Sequence, residues 1–297
     1  MRLASSVIPV DLNDTKKFLT ENLRREAAEY FGIRDEKLIS RVAEQWFDDQ
    51  VNYDGRWMVV QDRVAPGARI LDMAAGCGTF LLYALHQGWD IVGVEPSAWK
   101  REYYRRKVET SGYPVEYLHH FVPAAGEALP FADGTFDFAT TYQTLEHVQD
   151  LPKCLSELLR VLKKEGVLYV RAPDYDSFFE PHYGVFFLPR MNRAVAARYL
   201  RARGRPLSGL QTLTWTTTSE IKRNLRNIDK DIRIETLENY RFERVRNRIF
   251  DVLPEFMRYP SVGLLLAILY RSLIRIRRIS KFGREENHIE LWVTKQS

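Results

Sequence analysis

The stretch ILDMAAGCGTFL, Ile70 to Leu81, places Asp72, Ala74, Gly76 and Gly78 at every second position, with Thr79 opening the next apolar run. Small residues alternating through a strand-to-helix turn let backbone N–H groups face a ligand. A tight turn chosen only for helix–sheet packing accounts for the same pattern. A dinucleotide fingerprint fails here, because counting from Gly76 puts Leu81 where the third glycine belongs. A second apolar run, DIVGVEP, ends in Glu95 and Pro96. A carboxylate at that place accepts both hydroxyls of a ribose, although a solvated loop acid fits too. Together the two features point to an adenosine-containing cofactor. His147 in LEHV and the pair His182–Tyr183 in EPHYG carry groups that act as a base or a substrate clamp. An orienting or structural histidine, and aromatic packing, explain them equally well. His119 and His120 receive no role. The histidines and acids do not converge at ligand spacing along the chain, so no metal site is expected.

These residues need elements to hold them. DTKKFLTENLRREAAEYFG reads as a helix closed by Gly32, and DEKLISRVAEQWFDDQV and YDGRWMVVQDRV continue in helical style. The rhythm then alternates. ARILDM, DIVGVEP, PVEYLHHF, FDFATTYQ and VLYVRAP read as strands. TFLLYALHQG, SAWKREYYRRKVETSG (capped by Ser97) and DLPKCLSELLRVLKKEG read as helices between them. Further on, TTSEIKRNLRNI is a helix with Thr217 and Glu220 at capping-box spacing, and DIRIETLENY and HIELWVTK look like strands. Alternation of this kind implies a parallel sheet with right-handed crossovers, which binds ligands beyond the carboxyl ends of its strands. The quoted glycine stretch is the first such end.

Composition narrows the setting. The chain has 297 residues, 45% of them apolar, and a net charge of +5. Cys77 and Cys154 cannot build a disulfide framework. No signal peptide and no membrane span is read, so a cytoplasmic location is expected. The segment PRMNRAVAARYLRARGRP carries Arg190, Arg193, Arg198, Arg201, Arg203 and Arg205 with no acid. It reads as a solvated face or an anion-binding surface. Residues 261–282 begin apolar and end basic, with Arg271, Arg275, Arg277 and Arg278. They read as a helix packed on the core or lying on the inner face of an anionic membrane.

RILDMAAGCGTF, IVGVEPS and the block GEALPFADGTFDFATTYQTLEHVQDLPKCLSELLRVLKKEGVLYVRAP occur in this order and resemble the class I S-adenosylmethionine-dependent methyltransferases, in particular the methyltransferase-11-like group. The resemblance covers roughly residues 66–175. It implies S-adenosylmethionine as cofactor and an α/β fold: a Rossmann-like, seven-stranded, mostly parallel sheet with helices on both faces. It also implies that Asp72, Ala74, Gly76, Gly78 and Thr79 lie behind the methionine and ribose, with Glu95 and Pro96 at the ribose. Glu127 and Ala128 would lie beside the adenine, and Tyr142 and Gln143 on the methionine side. Ala74 replaces the family's usual first glycine, and Ala125 stands where many relatives have an aspartate for the adenine amino group. His147 would sit near the reactive end, and His182 and Tyr183 in a lid over the acceptor. YDGRWM, AAGCGTFLLYALHQGWDIVGVEPSAWK and EPHYG also look like methyltransferases of bacterial polysaccharide and lipid-linked glycan pathways.

The expected organisation is a helical N-terminal extension (1–65), a cofactor-binding core (66–175), and a lid with its helix (176–230). A C-terminal part (231–297) adds strands to the core and carries an insertion at 241–286. The leading reading is methyl transfer to a small molecule or a lipid- or nucleotide-linked acceptor, at a sugar hydroxyl or similar group, with a quinone or isoprenoid precursor competing. RNA or DNA methylation is disfavoured. The end of the fourth strand, TTYQTLEH, lacks the acid or asparagine, paired prolines and aromatic that grip a flipped base. A non-catalytic cofactor-binding scaffold is the third reading.

Overall fold

The computed structural model describes residues 11–49, 60–61, 63–236 and 288–296, with scattered helical positions between 262 and 276. Two helices open it: α1 (Leu12–Phe31), ended by Gly32 in the left-handed conformation, and α2 (Glu36–Phe47), capped by the Asp35 carboxylate. The core then alternates β1 (Arg69–Met73), α3 (Thr79–His86), β2 (Asp90–Val94), α4 (Ala98–Thr110), β3 (Phe121–Val122), β4 (Phe136–Tyr142), α5 (Leu151–Val161) and β5 (Leu162–Pro173). A small hairpin follows, β6 (Phe179–Glu180) and β7 (Val185–Phe186), then α6 (Arg193–Ala202), α7 (Ser208–Thr212) and α8 (Thr218–Ile228). The strands β8 (Arg233–Thr236) and β9 (His288–Thr294) complete the chain's main sheet.

That sheet has seven strands in the order β3-β2-β1-β4-β5-β9-β8. The first five run parallel, and β9 pairs antiparallel with both β5 and β8. Apolar side chains cover both faces. Leu155, Leu158 and Leu159 of α5 pack on one face with Ile221 and Leu225 of α8. Phe80 and Leu81 of α3 pack on the other with Tyr104 of α4 and Trp292 of β9. The mostly parallel, helix-covered sheet expected from the alternating pattern is therefore present. No helix among the described residues is long and apolar enough to cross a membrane.

Three local readings change. PVEYLHHF is a 3-10 turn, Val115–His120, followed by the two residues of β3. The Tyr117 hydroxyl bonds the Leu85 carbonyl and His120 Nδ1 bonds the Ile91 carbonyl, which holds the segment coiled against its neighbours. The helix α5 stops at Val161, and Leu162 to Glu165 already belong to β5. Phe136 pairs with Leu162, and Lys163 bonds Asp137, so the sheet edge claims residues whose own propensity is helical. Ser97 takes the N-cap place of α4 without a side-chain bond. Of the helix expected over YDGRWMVVQDRV, Val60 and Gln61 are helical and residues 51–59 lie outside the described residues. Most of the 241–286 insertion does as well.

Gly78 shows how tightly the first turn is built. Its φ is +73°, and a Cβ there would lie 2.2 Å from the Tyr104 ring. Tyr104 is buried and donates its hydroxyl to the Tyr117 carbonyl, so the ring has nowhere to retreat. Gly78→Ala is expected to cost at least about 2 kcal/mol, from overpacking and left-handed strain. A denaturant titration that shows an unchanged midpoint would contradict this packing.

Candidate functional site

The carboxyl ends of β1, β2 and β4 open into one cleft of about 920 Å³. Its floor begins where β1 ends. Ala74 and Gly76 both adopt positive φ, 58° and 61°, and turn the chain sharply toward α3. Ala75 N–H donates to the Val94 carbonyl, which holds this turn against the end of β2. A Cβ on Gly76 would meet nothing within 4 Å, so this backbone faces open cleft. Glu95 is only 4% exposed and uses both carboxylate oxygens. Oε2 accepts the Gly76 N–H at 3.0 Å, and Oε1 accepts the Ser97 N–H at 2.9 Å. Each oxygen keeps a second acceptor position.

Ala74, Gly76, Thr79, Glu95, Pro96, Glu127, Tyr142 and Gln143 all line the cleft. Asp72, Gly78 and Ala128 do not. Asp72 is buried within β1, and Gly78 faces Tyr104 rather than the cleft. Thr79 turns its hydroxyl to the Trp46 carbonyl at 2.8 Å. Glu127 accepts the N–H of Gln149 at 2.8 Å, which joins the two loops at the far end. Gln143 has φ 55°, and its N–H donates to the Arg171 carbonyl at 2.8 Å, which aims the chain after β4 into the cleft.

The wall opposite the sheet comes from outside the core. Glu26, Tyr30 and Phe31 of α1 and Trp46 of α2 line it. Sequence reasoning assigned these helices no function. An aromatic end to an N-terminal helix carries no signal of its own, because only docking shows what it faces.

One end of the cleft is a cluster of acids and imidazoles. His147 and His182 line the cleft, their rings 4.9 Å apart and nearly perpendicular. Glu146 lies behind them, fully buried, with Oε1 at 3.8 Å from Nε2 of each histidine. His182 Nδ1 stands 2.7 Å from Glu180 Oε1. Glu180 is itself fully buried and accepts the Tyr175 hydroxyl and the Tyr183 N–H. A carboxylate so held orients the imidazole, which lines the cleft. Burial in the cleft wall, then the neighbouring His182, push the His147 pKa down. Its side chain is 37% exposed, so water in the cleft screens part of that push. In its neutral form, which burial favours, the His147 imidazole accepts a proton or coordinates a cation.

Two expectations are corrected here. One atom each from Glu146, His147 and His182 lies within 4.8 Å of the others. Acids and histidines do therefore converge, because the β6–β7 turn folds back over the end of β4. Tyr183 is 1% exposed and turns away from the cleft. Its hydroxyl donates to the Pro206 carbonyl at 2.9 Å and accepts the Leu210 N–H at 2.7 Å. The arginines of the segment 190–205 are partly ties as well. Arg190 pairs with Asp176, Arg193 reaches the Leu213 carbonyl and Arg205 reaches the Gly32 carbonyl. Arg198, Arg201 and Arg203 face solvent.

Comparison with known proteins adds lineage to this geometry. A family model described as "Methyltransferase domain" matches residues 71–170. The chain is 35% identical over 139 residues to a ubiquinone/menaquinone biosynthesis C-methyltransferase of Geotalea uraniireducens, covering 45% of this chain and 58% of that relative. It is 30% identical over 189 residues to a demethylmenaquinone methyltransferase of Symbiobacterium thermophilum, covering 59% of this chain and 74% of the relative. Among solved structures, a phosphoethanolamine N-methyltransferase 2 of Haemonchus contortus in complex with S-adenosyl-L-methionine has the same fold, with a TM-score of 0.53 and 14% identity. That likeness covers 92% of this chain and 60% of that one.

The placement of Tyr183 makes a clear expectation. Tyr183→Phe strips a donor from the Pro206 carbonyl and an acceptor from the buried Leu210 N–H. It should lower stability by about 1–3 kcal/mol while leaving turnover of the folded protein near the parent value. A large loss of turnover without loss of stability would return Tyr183 to the chemistry.

Proposed function

Because this chain belongs to the class I S-adenosylmethionine-dependent methyltransferases, we propose that it methylates a small or carrier-linked acceptor through an ionisable hydroxyl on that acceptor. Its residues fit the cofactor. The Gly76 backbone leaves room where a side chain would intrude, and Glu95 keeps one free acceptor position on each oxygen for two ribose hydroxyls. Pro96 and Glu127 flank the remaining length of the cleft. The volume, about 920 Å³, suits cofactor and acceptor together. Bound there, S-adenosylmethionine supplies an activated methyl group on a sulfonium. The protein's own work is to hold the acceptor in line and to exclude water.

The observation that carries the hydroxyl reading is the pairing of His182 with Glu180 at 2.7 Å. An amine that is neutral already, or a preformed carbanion, needs no such dyad. A hydroxyl does, since its proton must leave before oxygen attacks. The names of the curated relatives favour a second outcome for the same proton step. An ionised ring hydroxyl also activates the neighbouring ring carbon, as a C-methyltransferase requires.

Carrier linkage rests on a separate feature. Leu265, Ile268, Leu269, Leu273 and Ile276, all at helical positions, are between 52% and 66% exposed. Their spacing puts them along one side of a helix, a surface suited to an amphiphilic acceptor or to a membrane bearing one. Arg271, Arg275, Arg277 and Arg278 lie outside the described residues.

Calorimetry and turnover test the reaction together. Glu95→Gln should weaken S-adenosylmethionine binding by about 1.5–3 kcal/mol. His182→Ala should lower kcat by about 10²–10⁴ at unchanged cofactor affinity, with Glu180→Gln between it and the parent. Full activity in His182→Ala on hydroxyl acceptors would overturn the reading. For the surface, flotation with anionic vesicles should recover the protein at low salt and lose it at high salt. Indifference to vesicles at every salt concentration would point to a soluble acceptor.

A further inference from the structure

We propose that Glu146, His147 and His182 form a binding site for a divalent first-row transition ion. One donor atom from each lies within 4.8 Å of the others, and both Nε2 atoms stand 3.8 Å from Glu146 Oε1. Around a zinc-sized ion with bonds of about 2.0–2.2 Å, tetrahedral donors stand about 3.4 Å apart. Each imidazole therefore has to approach the carboxylate by a few tenths of an ångström, and the two ring nitrogens, within 4.8 Å, have to close on each other as well. Two imidazoles and a carboxylate are the donor types that zinc, iron, cobalt and manganese accept.

The surroundings match that chemistry independently of the distances. A ligating histidine needs an acceptor on its other ring nitrogen to fix its tautomer and aim. His182 has Glu180 at 2.7 Å, and Glu180 is locked by Tyr175 and by the Tyr183 N–H. His147 has the backbone of Thr212 beside it in the same wall of the cleft. The approach is one-sided. Glu146 closes the back, fully buried, while both histidines open to the cleft. An ion held there keeps coordination positions for water or for an acceptor oxygen. It also ties the chain after β4 to the β6–β7 turn, so loading draws the lid onto the core.

The ion site does not depend on the acceptor, whereas its use in the reaction rests on the reading above. With the ion bound, His182 Nε2 is a ligand and no longer the base; a hydroxyl coordinated to the ion instead loses its proton to solvent at a lower pH than a free one. Its oxygen then forms the bond to the methyl carbon, and the carbon–sulfur electron pair returns to sulfur.

The test is a titration of the chelator-treated full chain with cobalt(II), followed by visible ligand-field absorption and by calorimetry. Saturation at one ion per chain is expected, with a spectrum of nitrogen and oxygen ligation. His182→Ala, His147→Ala and Glu146→Gln should each abolish the spectrum, and Glu180→Gln should weaken binding about 10–100-fold. Circular dichroism checks that each variant is folded, and if Glu146→Gln is not, His182→Ala on the cleft wall decides. No uptake of cobalt(II), zinc(II) or manganese(II) by the parent chain overturns the proposal, as does uptake that none of the three substitutions alters. Cobalt binding in a chain that methylates no hydroxyl acceptor supports the ion site and counts against the proposed reaction.

Discussion

The Glu95 carboxylate joins the two turns on which the cleft is built. One oxygen holds the Gly76 N–H after β1 and the other holds the Ser97 N–H after β2. The strands beneath are parallel and in register from Arg69–Asp90 to Met73–Val94, so their ends arrive side by side. Parallel pairing makes such a meeting unavoidable, because every carboxyl end points to the same sheet edge. The carboxylate then decides how the loops leave that edge. With Ala74 and Gly76 both in the left-handed region, the chain turns at once into α3 and leaves backbone rather than side chains at the floor. Two N–H groups that burial would otherwise penalise are satisfied by the acid that also offers itself to a ligand.

The walls depend on a second set of contacts, between the N-terminal helices and the lid. Gly209 lies against the Tyr30 carbonyl and the Phe31 ring, where a Cβ would come within 2.4 Å. Arg205 reaches the Gly32 carbonyl and Ser208 the Glu29 carbonyl, so the lid satisfies the open end of α1. Phe31 packs edge-on against Tyr183 and beside His182. The aromatic content of the lid thus forms a small core of its own around Tyr183, Phe187, Leu200 and Leu210. That core is what holds His182 over the end of β4. The cleft is therefore shared between the carboxyl end of the parallel sheet and a docking between two peripheral segments.

What could be read along the chain was what short-range chemistry decides. The strand–helix alternation, the glycine-rich turn, the acid ending β2 and the Thr217 cap on the Glu220 N–H all follow from neighbours a few residues apart. Where the reading failed locally, a distant partner had intervened. Leu162 to Glu165 are strand because Phe136 and the Lys295 carbonyl receive them. PVEYLHHF coils because Leu85 and Ile91 offer carbonyls to Tyr117 and His120.

The sequence by itself determined the sheet, its glycine-rich turn and the family, since periodicity and the order of the motifs are properties of the chain alone. Only the tertiary structure decided the far wall of the cleft. Glu146 and His147 follow β4, His182 and Glu180 belong to the lid hairpin, and Tyr30 and Trp46 belong to helices far upstream. No local pattern encodes that convergence, because it depends on where three segments distant in sequence dock. The same docking separated two neighbours that looked alike in sequence, turning His182 into the cleft and Tyr183 into the lid's interior, since adjacent side chains on a turn face different ways.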